Sequence, residues 1–126
     1  MSRMLDAAVS YAGERTAFGR PIGKHQAIRH KVAEMAVKLE ASRSLTYHAL
    51  WLFANGTDAI REVTEAKLLS QRAAYEVADD TLQIHGGAGY MKEYGIERAV
   101  RDTRLGPIGG GTDEVMKEIL GKQLGL

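Results

Sequence analysis

Apolar residues recur at helical spacing over most of the chain. Met4, Leu5, Ala8, Val9 and Ala12 fall three and four apart and predict a short amphipathic helix that fades at Gly13. Its stripe starts almost at the first residue, ahead of any cap, which creates the expectation that further sequence lies upstream. Beyond the turn Gly19-Arg20-Pro21-Ile22-Gly23, the residues Ile28, Val32, Met35 and Leu39 continue on one face as Ser42, Thr46, Ala49 and Phe53. One long helix is predicted there. Asn55-Gly56-Thr57-Asp58 ends it and caps a second, expected from Ala59 to Ile84 with Val63, Ala66, Ser70, Ala73 and Val77 in its stripe. So short a link makes the two helices antiparallel, and residues 24–86 should form a long central hairpin that other helices must cover. Tyr94 to Arg104 and Thr112 to Leu124 are predicted to supply two shorter helices, and no stretch alternates as a strand would. The expected fold is all-α, an up-and-down bundle of the four-helix type that fills residues 1–126 as a single helical domain.

Composition narrows the function classes. There is no cysteine, which excludes disulfides, thiolate metal sites and thiol nucleophiles. Seventeen Lys and Arg against sixteen Asp and Glu leave a net charge of +1, with no basic block to follow a phosphate backbone, so nucleic acid is not an expected partner. The longest uncharged stretch, Ser44 to Thr57, is too short to cross a bilayer, and the opening residues lack a secretory signal. A cytoplasmic location is therefore expected. None of the glutamates has a histidine three residues on, and His30 with Glu34 is no ligand set, so no metal site is expected.

Three glycine-marked segments stand out. In Gln83-Ile84-His85-Gly86-Gly87-Ala88-Gly89-Tyr90, three glycines stop a helix abruptly. One glycine suffices for a left-handed helix terminus, so the others point to close approach of a ligand or a neighbouring backbone. In Ile108-Gly109-Gly110-Gly111-Thr112-Asp113-Glu114, a glycine loop leads into a helix capped by Thr112, whose free N–H groups could receive an anion or a carbonyl oxygen. Neither segment is a phosphate loop or a dinucleotide fingerprint, because the spacing and the preceding strand are absent. Near the start, Arg15 before Phe18-Gly19 could offer a guanidinium to a phosphate beside a flat apolar neighbour, or could simply pair with Glu14 or Asp6. Glu97, Arg98, Arg101, Asp102 and Arg104 alternate in sign and read as a solvated or interfacial face.

Taken in order, Glu14-Arg15-x-x-Phe18-Gly19-x-Pro21-Ile22 with Gln26, then Gln83-Ile84-His85-Gly86-Gly87-x-Gly89-Tyr90, then Arg101-Asp102 and Gly111-Thr112-x-Glu114 resemble the C-terminal domain of the acyl-CoA dehydrogenases. The resemblance implies a flavoprotein that oxidises an acyl-CoA thioester to its trans-2-enoyl product. It implies that Arg15 meets the FAD pyrophosphate, with Phe18 and Gln26 against the adenosine half. It implies that Gln83, Ile84, His85, Gly86 and Gly87 contact FAD across a subunit interface, and that Thr112 and Glu114 touch it from the last helix. Gly110 and Gly111 should lie near the acyl chain and thioester. Many members carry the catalytic glutamate at the position of Gly110, and glycine cannot accept a proton, so no catalytic residue is expected here and the chain alone should be inactive. Further implied partners are an acyl-CoA substrate, a second copy of the chain in a dimer or tetramer, and an electron-transfer flavoprotein as electron acceptor. The alternative expectation is a non-catalytic helical assembly subunit that accompanies a complete dehydrogenase.

Overall fold

A computed structural model describes residues 1–126. The elements run α1 (Ser2–Glu14), β1 (Thr16–Ala17), β2 (Arg20–Pro21), α2 (Gln26–Ala54), α3 (Ile60–His85), α4 (Gly87–Tyr90), α5 (Ile96–Thr103) and α6 (Asp113–Gln123), with single tight turns of helix at Ile22–Lys24 and Lys92–Tyr94. The fold is all-α apart from one small ribbon. Six helices replace the expected four-helix bundle, because the glycine run after α3 folds into a helical turn of its own and α5 and α6 stay short.

The hub is α3, which packs against α1, α2, α4, α5 and α6. Its small buried residues explain this role: Ala66, Ala73, Ala78 and Thr81 let several helices approach one axis closely. Lys31–Asp80 at 2.5 Å and Lys38–Glu76 at 2.7 Å tie α2 to α3 and show that the two run in opposite directions. The tightest cluster joins Ala8 and Ala12 of α1, Met35 of α2, and Val77 and Ile84 of α3, with Leu5, Ile22, Ile28 and Val32 packed around it. The core therefore lies toward one end of the domain. At the other end the predicted stripe loses its cover. Phe53 is 71% exposed and Val63 49%, because α2 and the start of α3 extend past the helices that would pack on them.

The ribbon was not expected from the sequence. β1 and β2 pair antiparallel with Ala17 opposite Arg20, so the connection is only Phe18-Gly19. Both have positive φ, 52° and 79°, as a type I′ turn requires. Gly19 adopts this freely, whereas for Phe18 the left-handed region costs about 1–2 kcal/mol. Two contacts hold it there. Arg20 Nη2 donates to His25 Nδ1 at 3.2 Å, which leaves the ring proton on Nε2 to donate to the Ala17 carbonyl at 3.2 Å.

Candidate functional site

The segments Arg15 to Gly19 and Gln83 to Tyr90 lie toward one end of the molecule. The Tyr11 ring of α1 stacks on His85 of α3 at 4.2 Å, and Tyr94 closes edge-on against both. Tyr11 lies one turn before Arg15, and α2 starts at Gln26 and runs antiparallel to α3, so the loop from Arg15 to Gln26 forms a rim toward the same end of the molecule as Gly86 and Gly87. On that rim Arg15 is exposed and forms no ion pair with Glu14, Asp6 or any other acid. Phe18 is 95% exposed, with only an edge contact to His25. Gln26 is exposed and reaches His30 at 3.4 Å.

Within the glycine run the roles divide. The side chains of Ile84 and His85 face inward: Ile84 belongs to the core cluster, and His85 Nδ1 donates to the Thr81 carbonyl at 2.8 Å beneath the Tyr11 ring. Only their backbone remains for a ligand, while Gln83 is exposed. Gly86 ends α3 at φ 57°, ψ −135°, a region closed to residues with a Cβ. At Gly89 a Cβ would lie 2.8 Å from both His85 Cβ and the Leu82 carbonyl, so this glycine is required by internal packing. Around Gly87 nothing lies within 4 Å of where a Cβ would stand, and its surface is open.

The segment Ile108 to Glu114 lies elsewhere. Lys67 donates to the Gly111 carbonyl, and Arg72 Nε pairs with Asp113 Oδ2 at 2.6 Å, which docks the start of α6 on the middle of α3. From Arg72 to His85 is about 20 Å along the helix at 1.5 Å per residue. One chain thus separates Thr112 and Glu114 from the Arg15 rim. Thr112 caps α6 as the sequence predicts, its hydroxyl accepting from Val115 N at 3.3 Å. The Glu114 carboxyl is held below the usual carboxylate range, first by its own backbone N–H at the helix start and then by the Thr112 hydroxyl. Its charged form therefore supports the folded state above the ordinary glutamate range, and that support is lost as pH falls through the depressed value. In a carbon-detected NMR titration, Glu114 should titrate below a glutamate that lacks these two hydrogen bonds. Thr112→Val should move its midpoint upward and lower stability by about 1 kcal/mol through loss of the cap; an unmoved midpoint would refute this pairing.

Gly110 and Gly111 have φ of 63° and 94°. A Cβ on Gly110 would face only Lys67 Cε, at 4.0 Å, so the loop top is bare. The sequence missed Arg20, His25, Lys67 and Arg72. Nothing local could have found Lys67 and Arg72, whose partners are 44 and 41 residues away. No group of three His, Asp or Glu is placed to hold a metal, and no helix is long and apolar enough to cross a membrane.

Fold and surface together define an all-α domain with Arg15 and Phe18 exposed beside the ribbon and open backbone at Gly86, Gly87 and Gly110. The model of the acyl-CoA dehydrogenase C-terminal domain matches residues 1–125, and the chain belongs to that family. It is 42% identical over 120 residues to YngJ of Bacillus subtilis, described as a probable acyl-CoA dehydrogenase, which spans 95% of this chain and 32% of YngJ. With the same coverage it is 43% identical to the 3-(aryl)acrylate reductase of Clostridium sporogenes. Among solved structures, the FAD complex of PigA superposes with a TM-score of 0.97 at 33% identity, over 99% of this chain and 33% of that one. The chain spans about a third of the length of the relatives it matches.

Proposed function

We propose that these residues serve as the FAD-contacting and oligomer-forming domain of an enzyme that interconverts acyl-CoA and 2-enoyl-CoA thioesters. The observation that carries this is the rim itself. An arginine without an acidic partner, an exposed phenylalanine held at positive φ and the open Gly86-Gly87 backbone suit a ligand that is part pyrophosphate and part flat ring. Arg15 would bind the pyrophosphate, and Phe18 with Gln26 the adenosine half. Gln83, Gly86, Gly87 and the backbone of Ile84 and His85 would meet a second FAD, held mainly by a neighbouring copy. Thr112 and Glu114 would touch the cofactor at the far site. The separation of that site from the rim along α3 supports sharing between copies, since one chain does not bring the two together.

The chemistry a bound flavin supplies is acceptance of a hydride from the substrate carbon. The loop at Gly110 and Gly111, bare at Gly110 and packed against Met116 at Gly111, would border the acyl chain and thioester. Gly110 offers no proton acceptor, so the base would come from outside these 126 residues. The exposed ridge Tyr47, Leu50, Trp51 and Phe53 on α2 suits burial between copies in a dimer or tetramer. An electron-transfer flavoprotein is the proposed electron acceptor. The decisive preparation is the protein expressed from its full genomic reading frame: it should purify yellow, and its flavin should lose colour on addition of acyl-CoA. A colourless protein inert toward acyl-CoA would sink this reading, and co-purification of that protein with a separate flavoenzyme would favour the assembly-subunit alternative.

A further inference from the structure

Thr112 sits between two residues that are each gripped by a cation from α3. On one side Lys67 Nζ donates to the Gly111 carbonyl, and on the other Arg72 Nε donates to Asp113 Oδ2 at 2.6 Å. Between the two cations, Gln71 lies against the same loop, where a Cβ on Gly106 would stand 2.1 Å from its Oε1. Three neighbouring residues of one helix thus hold the segment from Gly106 to Asp113. The segment needs holding. Glycine, the residue with the most backbone freedom to lose, fills positions 109, 110 and 111, and the last two have positive φ.

This arrangement is a poor source of stability. Asp113 is 6% exposed and its Oδ1 has no hydrogen-bond partner, so the desolvation of a buried carboxylate is met by a single ion pair. Such pairs often contribute nothing relative to apolar residues of similar size, while they do fix geometry. The Asp113 backbone N–H adds one further fixed point on the Pro107 carbonyl at 3.0 Å.

We infer that Lys67 and Arg72 are positioning residues: they clamp the loop on both sides of Thr112 so that Thr112 and Glu114 hold the orientation their proposed flavin contact needs. The inference rests on that functional reading, and its test separates the two. The variants are Lys67→Met, which keeps length and removes the donor, Lys67→Arg, which restores a cation, and the double change Arg72→Met with Asp113→Ser, which leaves no unpaired buried charge. Hydrogen exchange in the 126-residue chain should speed up about tenfold at the amides of position 113, Val115 and Met116 in Lys67→Met and in the double variant, each relative to the intrinsic rate of the residue present, the scale of one charge-assisted hydrogen bond. The Val77 amide and the thermal midpoint should stay as in the parent, and Lys67→Arg should restore protection. In the protein from the full reading frame, the dissociation constant for FAD should rise about tenfold in the same two variants. Unchanged exchange at the three amides, or FAD affinity that falls only in step with thermal stability, would overturn the clamp. If the parent binds no FAD while the exchange result holds, the loop is anchored but the flavin reading falls, and the orienting role falls with it.

Discussion

Met35→Ala is expected to lower the unfolding free energy by about 2–5 kcal/mol, the range for deleting a large buried aliphatic side chain and leaving a cavity. Met35 is 0% exposed and sits where α1, α2 and α3 come together, against Ala8, Ala12, Val77 and Ile84. Two of those neighbours are alanines, whose position is fixed by their helix backbone, so they cannot move in to fill the gap without shifting α1. That places the expected cost in the upper part of the range. The loss is large beside the total stability of a domain, about 5–15 kcal/mol. It is larger still in effect here, because only 17 of 126 residues are buried and few other contacts can compensate. Urea unfolding of the 126-residue chain, followed by circular dichroism, should show a lower midpoint with an unchanged slope. Met35→Leu, which keeps volume, should cost less than about 1.5 kcal/mol. Should Met35→Ala prove as mild as a change at the exposed Val37, the core does not lie where α1 crosses.

The helices were legible because their signals are local. Stripes at three and four residues place α2 and α3 within two residues of their observed ends, and Thr112 announces the start of α6 as a side-chain cap. What the stripes could not show is how much of each helix finds a partner. Phe53 and Val63 continue their faces perfectly well in sequence, yet the rest of this chain leaves both largely uncovered. The ribbon was illegible for a different reason: two residues per strand are too few to alternate, and its turn puts a phenylalanine where asparagine or glycine is the usual signal. The three glycine segments were legible as a set, but not their division of labour. Gly89 serves internal packing, Gly86 a backbone conformation, and Gly87 an open surface, distinctions that require knowing what lies within a few ångströms. The inward turn of Ile84 and His85 depends likewise on Tyr11, more than seventy positions earlier in the chain, whose stacking no local pattern encodes.

Arg15→Met should leave the fold intact and weaken FAD binding by about ten- to a hundredfold. Both halves follow from the same observation. The Arg15 guanidinium has no acidic partner in this chain, unlike Arg101 with Glu97 at 3.0 Å or Arg98 with Asp102 at 3.4 Å. What Arg15 gives the fold is its backbone, whose N–H reaches the Tyr11 carbonyl at 2.8 Å and whose carbonyl accepts from Ile22 N at 2.8 Å, and methionine preserves both bonds. An exposed side chain removed without other loss changes stability by no more than about 0.5 kcal/mol. If the pyrophosphate is its partner, the same change removes a charge-assisted hydrogen bond of about 1.5–3 kcal/mol, which sets the affinity loss. Arg15→Lys should recover part of it, since an ammonium keeps the charge but not the bidentate fork. Titration of the flavin-free full-reading-frame protein with FAD, beside a thermal melt of each variant, measures both quantities. A residue that matters to binding and not to folding has its partner outside the chain; equal FAD affinity in Arg15→Met would leave the rim as a hairpin corner with no ligand assigned to it.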